Sequence, residues 1–266
     1  MSAEPAPYYD KSSAAAARYD ALHAAQTDDV AFYVDQALGA EGPVLEVGCG
    51  TARVALAAAR GGVEVVGMDR SPHMLAVAAA KRRRADPVVR RRLRLVRADM
   101  RAFGFRRPFA RVILPFRVFQ AMLTVDDQLA ALAACRSALS PDGKLVFNVF
   151  DPRYDLLAAG LEPLALSETG RQYEEAGASV VEKWSGRYDP VEQRLHGTFV
   201  YERHDGAGGV ERVFEPLVLR YFFRYEIEHL LVRAGYQVEA LYGGWDRRPY
   251  AEHGEEMIWV ARRDGR

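Results

Sequence analysis

Cysteine is nearly absent from these 266 residues: there are two, Cys49 and Cys135, far apart in the chain. A disulfide framework is excluded as the source of stability, and a reducing cytoplasm is the expected compartment. A chain of this length buries enough core to fold without covalent staples. No long uncharged apolar run is present to span a bilayer, so no membrane partner is expected. The opening segment, Met1 to Asp10, lacks a basic stretch followed by an apolar one, and no secretory leader is expected. Net charge is absent too, with 36 Lys+Arg against 36 Asp+Glu. That balance argues against a general nucleic-acid or membrane binder. The histidines His23, His73, His196, His204, His229 and His253 show no metal-ligand spacing, and no metal is assigned.

The neutral total conceals an Arg-dominated stretch from Lys81 to Arg111, including Arg82-Arg83-Arg84 and Arg90-Arg91-Arg92. A solvated helix end and loop is the simpler account, and a phosphate-contacting patch is the sharper alternative. Around it, strands and helices alternate. Short apolar runs at Pro43–Val47, Val63–Met68, Leu93–Val96, Arg111–Leu114 and Lys144–Phe150 read as buried strands. Helical patterns at Ala52–Arg60, Met74–Arg84 and Val125–Leu139 separate them, and Ser71-Pro72 supplies an N-cap and first position for the second. Alternation of this kind predicts an α/β fold, a doubly wound parallel sheet covered by helices on both faces.

Two segments depart from the alternation. Before it, residues 1–39 combine a Tyr-rich start, the helix-favouring Ala14–Ala17, and an apolar helix pattern from Val30 to Leu38. After Asp151, three longer strands are expected at Val180–Tyr188, Gln193–His204 and Val210–Phe223, as in an antiparallel meander. The expected organisation is therefore an N-terminal lid at 1–39 and a ligand-binding core at 40–150. An antiparallel insertion at 151–220, the expected acceptor lid, follows, and the chain returns to the core at 221–266 through a helix at Tyr225–Ala234 and strands at Tyr236–Tyr242 and Met257–Ala261.

The chemistry lies at three successive strand ends. The first is Glu46-Val-Gly48-Cys49-Gly50-Thr-Ala52, where glycines let the backbone turn sharply into a helix and approach a ligand closely. The second is Asp69, an acid placed to accept from ribose hydroxyls. The third is Asp99-Met100, where a carboxylate can accept from an adenine amine and a thioether can wall a flat base. A lone glycine turn is weak evidence, but three such features in order favour an adenosine-bearing ligand at the C-terminal edge of the sheet.

With Ala98-Asp99-Met100, Ile113–Gln120 and Pro141-Asp-Gly-Lys-Leu145, these residues resemble the class I S-adenosylmethionine-dependent methyltransferases of small-molecule type, over roughly residues 40–150 and again over the last 45. The resemblance implies a seven-stranded Rossmann-like sheet with S-adenosyl-L-methionine as cofactor. It also implies roles: Glu46 at the methionine end, Gly48, Cys49 and Gly50 beneath the ligand, Asp69 on the ribose, Asp99 and Met100 on the adenine. Tyr19, Arg70, Met74 and Pro115 complete the expected cofactor shell. Two departures stand out: Ala52 replaces the family's third loop glycine, and Ala110 stands where an acid is common.

Methyl transfer from a sulfonium needs positioning and exclusion of water, with aromatic faces near the cation. Tyr9, Tyr19, Phe116, Arg117 and Gln120 are the candidate acceptor-side and catalytic residues, and Tyr201, Arg220, Tyr221 and Phe222 are further possibilities on the insertion. His23 and His196 are the candidate bases. No Asn-Pro-Pro-Tyr element follows the fourth strand, which again argues against nucleic acid as substrate. The expected function is N-methylation, or else O-methylation, of a small metabolite, with a homo-oligomer left open. An RNA or protein methyltransferase using the 81–111 segment, a nucleotide-dependent dehydrogenase and a non-catalytic cofactor-binding module are the alternatives. Position 53 is Arg where a dehydrogenase loop wants glycine.

Overall fold

The computed structural model describes residues 13–158, 165–175, 177–206, 208–251, 254 and 256–264. The expected Tyr9 site and the neighbouring Tyr8 lie outside the described residues, as does His253. Strands β1 (Val44–Val47), β2 (Val65–Asp69), β3 (Leu93–Arg97), β4 (Phe109–Leu114), β5 (Leu139–Phe150), β10 (Tyr236–Tyr242) and β11 (Glu256–Arg263) form one sheet. Its order is β10-β11-β5-β4-β1-β2-β3. The pairings from β3 to β5 are parallel, and β11 runs antiparallel between β5 and β10. This is the expected doubly wound α/β sheet.

The period of two along each strand creates two cores. On one face Leu45, Val112, Leu114, Leu145, Phe147 and Trp259 pack with helices α6 (Val125–Ala138) and α8 (Arg224–Arg233). On the other, Val44, Ile113, Val146, Ile258 and Val260 pack under α2 (Asp28–Leu38) and α3 (Arg53–Arg60). Burial on both faces is why these strands read as near-continuous apolar runs. Helix α4 (Pro72–Arg84) starts as its sequence predicts, with the Ser71 side chain accepting from the Met74 amide at 3.3 Å.

The Arg-rich stretch has a structural use. Arg82 donates to the Leu93 carbonyl at 2.6 Å and to the Arg90 carbonyl at 2.7 Å. Helix α5 (Pro87–Arg92) therefore docks against the end of α4, with cations near both helix C-termini, where the backbone dipole favours them. The sequence pattern did not reveal α5, because its six residues are too few to show a period.

Between Phe150 and α8 the chain forms α7 (Tyr154–Ala158) and a second, antiparallel sheet, β6-β7-β8-β9. Three strands were expected here and four are present: β6 (Ser167–Glu175), β7 (Ala178–Asp189), β8 (Arg194–His204) and β9 (Val210–Arg220). The additional β6 reads Ser-Glu-Thr-Gly-Arg-Gln-Tyr-Glu-Glu. It pairs through its backbone with β7 and lacks the apolar alternation that marks a strand in sequence. Strand β9 ends at Arg220, short of the expected Phe223, because Tyr221 and Phe222 turn back into buried positions against the core.

Helix α1 (Ser13–Leu22) packs between α4 and the second sheet. Ala16 and Tyr19 pack on Met74 and Phe116, while Leu22 packs on Val180 and Tyr201 of the second sheet. Spacings of three and four residues give the helix these two working faces.

Candidate active site

Every element of the site sits at the C-terminal edge of the parallel strands. Gly48 (φ 70°) and Gly50 (φ 53°) occupy left-handed backbone that a side chain disfavours. Ala52, the departure from the third glycine, is also left-handed at φ 61°, so the turn keeps its shape at a local steric cost. The Cys49 amide donates to the Met68 carbonyl at 2.9 Å, prolonging the β1–β2 ladder, and its sulfur packs over Gly67. Burial pushes the Cys49 thiol pKa well up.

The turn after β4 closes on this loop. Phe116 and Arg117 are both left-handed, at φ 59° and 64°, and a short 3-10 turn, Val118–Ala121, follows. Two consecutive strained residues bring Val118 down onto Gly48. A Cβ at position 48 would lie 2.5 and 2.7 Å from the two Val118 methyl carbons. Gly48→Ala should therefore destabilise the chain by about 2–4 kcal/mol, from overpacking plus backbone strain. Gly48→Ala with Val118→Ala should recover the packing part alone, as read from thermal melts of both variants.

Asp69 is engaged by the loop itself. Its carboxylate accepts from the Gly50 amide and from the Ser71 amide, each at 2.8 Å. Asp99 accepts from Arg101 through Nε at 3.0 Å and Nη2 at 2.7 Å, and Arg101 also reaches Asp127. That guanidinium holds the Asp99 carboxyl below its ordinary range. Met100 is partly buried against the core, Pro115 is buried, and Arg70 is exposed. Met74 lies over Gly50, its methyl carbon 3.0 Å from where a Cβ there would sit.

Glu46 shows most directly what the site needs. It is 2% exposed, and its Oε2 has no hydrogen-bond partner. Burial pushes its pKa up to about 8, against the lowering influence of Arg53 and the Ala55 amide. A buried polar atom without a partner is costly and calls for a ligand that supplies one. The cationic α-amine of a methionine moiety fits this position, and the glycine turn beside it leaves room for the backbone to approach. The residues thus fit S-adenosylmethionine on geometric and electrostatic grounds.

Helix α1 is fastened over the loop. Asp20 accepts from Thr51 at 2.6 Å and from Lys81 at 2.8 Å. Tyr19, His23 and Phe116 form an aromatic corner, with ring centroids 4.4 Å apart for Tyr19–His23 and 4.8 Å for His23–Phe116. Burial, then the nearby Arg171 and Arg53, pushes the His23 pKa down to about 3, so the imidazole is neutral. Its Nδ1 is buried without a partner. Burial likewise pushes the Tyr19 phenol up, keeping it protonated. Arg53 pairs with Asp29 and stands over the Phe116 ring at 5.3 Å. His196 lies on β8, away from this corner, with its pKa lowered mainly by partial burial.

Two of the acceptor-side candidates have structural partners. Gln120 is fully buried; its amide donates to the Arg220 carbonyl at 2.8 Å and accepts from the Phe150 amide at 3.0 Å. It therefore clasps the second sheet to the end of β5. Arg117 pairs with Glu256 and lies over Phe150, with its side chain 41% exposed. Glu256 in turn accepts from Asn148, and Asn148 accepts from the Tyr33 hydroxyl, both at 2.8 Å. This Tyr33–Asn148–Glu256–Arg117 chain holds the strained turn, and sequence reasoning did not find it. Its members are up to 223 positions apart (256 minus 33), and no local pattern links them. Tyr201, Tyr221 and Phe222 are buried in packing contacts, and Arg220 pairs with Glu226. Among the described residues no group of His, Cys, Asp and Glu could hold a metal, and no helix is long and apolar enough to cross a membrane.

Known proteins match this chain in family and in fold. Residues 44–143 match the family described as Methyltransferase domain. The chain is 29% identical over 133 residues to the protein named "Putative methyltransferase YqeM" of Bacillus subtilis (strain 168), covering 49% of this chain. The match spans about half, 52%, of that relative's length. Over nearly the whole chain the fold matches the CcbJ methyltransferase from Streptomyces caelestis, with a TM-score of 0.78, 26% identity, and 97% and 99% of the two chains covered. It also matches CalS10, an amino pentose methyltransferase from Micromonospora echinaspora, with a TM-score of 0.68, 24% identity, and 93% and 95% covered.

Proposed function

We propose that this chain, whose residues 44–143 match the methyltransferase domain family, uses S-adenosylmethionine to methylate an amine nitrogen of a small metabolite. The observation that carries this reading is the enclosed corner of Tyr19, His23 and Phe116 beside the glycine turn, clamped by α1 through Asp20. Packed aromatic rings give a water-poor setting, and an in-line displacement at a sulfonium needs little besides that and correct positioning. The cofactor supplies the activated methyl group. Glu46 binds its α-amine, Asp69 accepts from the ribose, and Met74 covers the turn. His23, held neutral, offers an acceptor lone pair to an amine N–H and so orients the nitrogen. The aromatic faces favour the cationic product.

The amine class rests on two supports. One is the neutral imidazole among aromatic rings. The other is the fold likeness to an enzyme of amino pentoses. O-Methylation of a similar molecule is the narrower alternative. Part of the arginine patch of the 81–111 stretch is already engaged, since Arg82 and Arg90 donate to backbone carbonyls and Arg101 pairs with Asp99 and Asp127.

Methyl transfer from labelled S-adenosylmethionine to a panel of small amines and phenols tests the proposal. Turnover on one or more amines is expected. Transfer only to RNA or protein overturns the substrate class, and cofactor binding with transfer to nothing favours a non-catalytic module.

A further inference from the structure

The sheet edge opposite the cofactor loop carries charges where its face would otherwise stay apolar. On the face that packs under α2, Ile113, Val146 and Val260 stand in register on β4, β5 and β11, and all three are buried. Two residues further, toward the starts of β4 and β5, the same face carries Arg111, Lys144 and Arg262, again directly opposite one another. Side chains in register on neighbouring strands share a face, and like charges so placed repel. A row of three cations therefore calls for anions.

The chain meets that need only in part. Glu239 on β10 pairs with Lys144 through Oε2 at 2.5 Å and with Arg262 through Oε1 at 3.7 Å, so both its oxygens are engaged. Arg111 is 9% exposed, and its Nε is buried with no hydrogen-bond partner. Its Nη2 reaches the Gly39 carbonyl at the end of α2 only at 3.5 Å. The carbonyl end of a helix attracts a cation, but one contact this long leaves a guanidinium with five donors poorly satisfied. Burial lowers the Arg111 pKa, with the Glu239 carboxylate acting the other way. A buried cation without a matching acid is costly.

Arg111 and Lys144 line a cavity of about 400 Å³. Ala240, Tyr242 and Val260 give it an apolar wall. Arg247 lines it as well, pairing with Asp35 of α2 while its side chain is 46% exposed. Among the lining residues Arg111, Lys144 and Arg247 outnumber the acids Asp35 and Glu239, which leaves one positive charge uncompensated.

We propose that this cavity is a second binding site, taking a small oxyanion carried on a flat apolar body, with the anion on Arg111 and Lys144 and the body against Tyr242 and Val260. A carboxylate and a phosphate monoester both present that chemistry. The guanidinium offers paired N–H donors that match the oxygens of either, and the ammonium beside it adds a point charge. The site shares no residue with the cofactor loop. Arg111 stands opposite Val44, the first residue of β1, whereas Glu46 lies toward the other end of that strand.

The test titrates benzoate, phenyl phosphate and benzyl alcohol into the chain saturated with S-adenosylhomocysteine, by calorimetry. At least one of the two anions should bind at least about tenfold more tightly than the uncharged alcohol, and the tighter anion identifies the group the site takes. Arg111→Gln and Lys144→Met should each weaken that anion about tenfold or more, with S-adenosylhomocysteine affinity unchanged. Should Arg111→Gln fail to fold, Lys144→Met, at a partly exposed position, carries the comparison. Anions that bind no better than the alcohol overturn the site, as does native anion affinity in Lys144→Met or in a folded Arg111→Gln chain. The same ranking is expected without S-adenosylhomocysteine, so the result stands apart from the methyl-transfer reading.

Discussion

Replacing Glu46 with Gln should weaken S-adenosylmethionine binding about 100-fold and leave the cofactor-free chain at least as stable as the native one. Both halves follow from the partnerless Oε2. In the complex that oxygen meets a cation, and a hydrogen bond to a charged group contributes about 1.5–3 kcal/mol. Without the cofactor the buried carboxyl must take up a proton near neutral pH, and a neutral amide avoids that cost.

The pH dependence separates the two states. The folded pKa of Glu46 is raised from 4.5 to about 8. A raised carboxyl favours folding fully below its unfolded value and loses that contribution as pH climbs through the folded value. The cofactor-free chain should therefore lose stability from about pH 4.5 to about pH 8 in this group's share, and Glu46→Gln should flatten that slope. Cofactor affinity runs the other way. It should rise as pH approaches about 8, because the ionised carboxylate is the binding form, then fall as the ligand's α-amine, with a pKa of about 8, deprotonates. Calorimetry and thermal melts across this range measure both. A Glu46→Gln chain with native affinity would sink the assignment.

Asp69→Ala should cost both cofactor affinity and stability. A ribose contact alone predicts a loss in affinity of about 10–100-fold in an otherwise normal protein. The bonds from the Gly50 and Ser71 amides add a second effect, since removing the carboxylate leaves both donors without their acceptor and releases the glycine turn from β2. Destabilisation of about 1–3 kcal/mol is expected, read from denaturant unfolding without ligand. Asp69→Asn retains an acceptor oxygen and should recover part of the stability. Native affinity in a folded Asp69→Ala chain would refute the placement of this residue at the cofactor.

These expectations differ in how far the sequence alone supported them. The parallel sheet, the order of its strands and helices along the chain, and the placing of Glu46, Asp69 and Asp99 at successive strand ends were legible because each is a local pattern. A buried strand shows as a short apolar run, a tight turn needs glycine, and a strand-end acid stands beside both. Ser71 was legible for the same reason, since an N-cap acts within four residues.

What tertiary structure alone decided is the set of partners. Asp69 reads as a free acceptor until the fold sets two backbone amides against it. Arg117 and Gln120 read as reactive polar groups until Glu256, Arg220 and Phe150 arrive from distant segments. Strand β6 has no apolar alternation because its pairing is made by backbone, which every sequence possesses. Gly197 and Trp184 are unremarkable in the chain and meet only through the β7–β8 register. Local geometry is written in neighbouring residues, whereas burial and pairing depend on chain segments that only folding brings together.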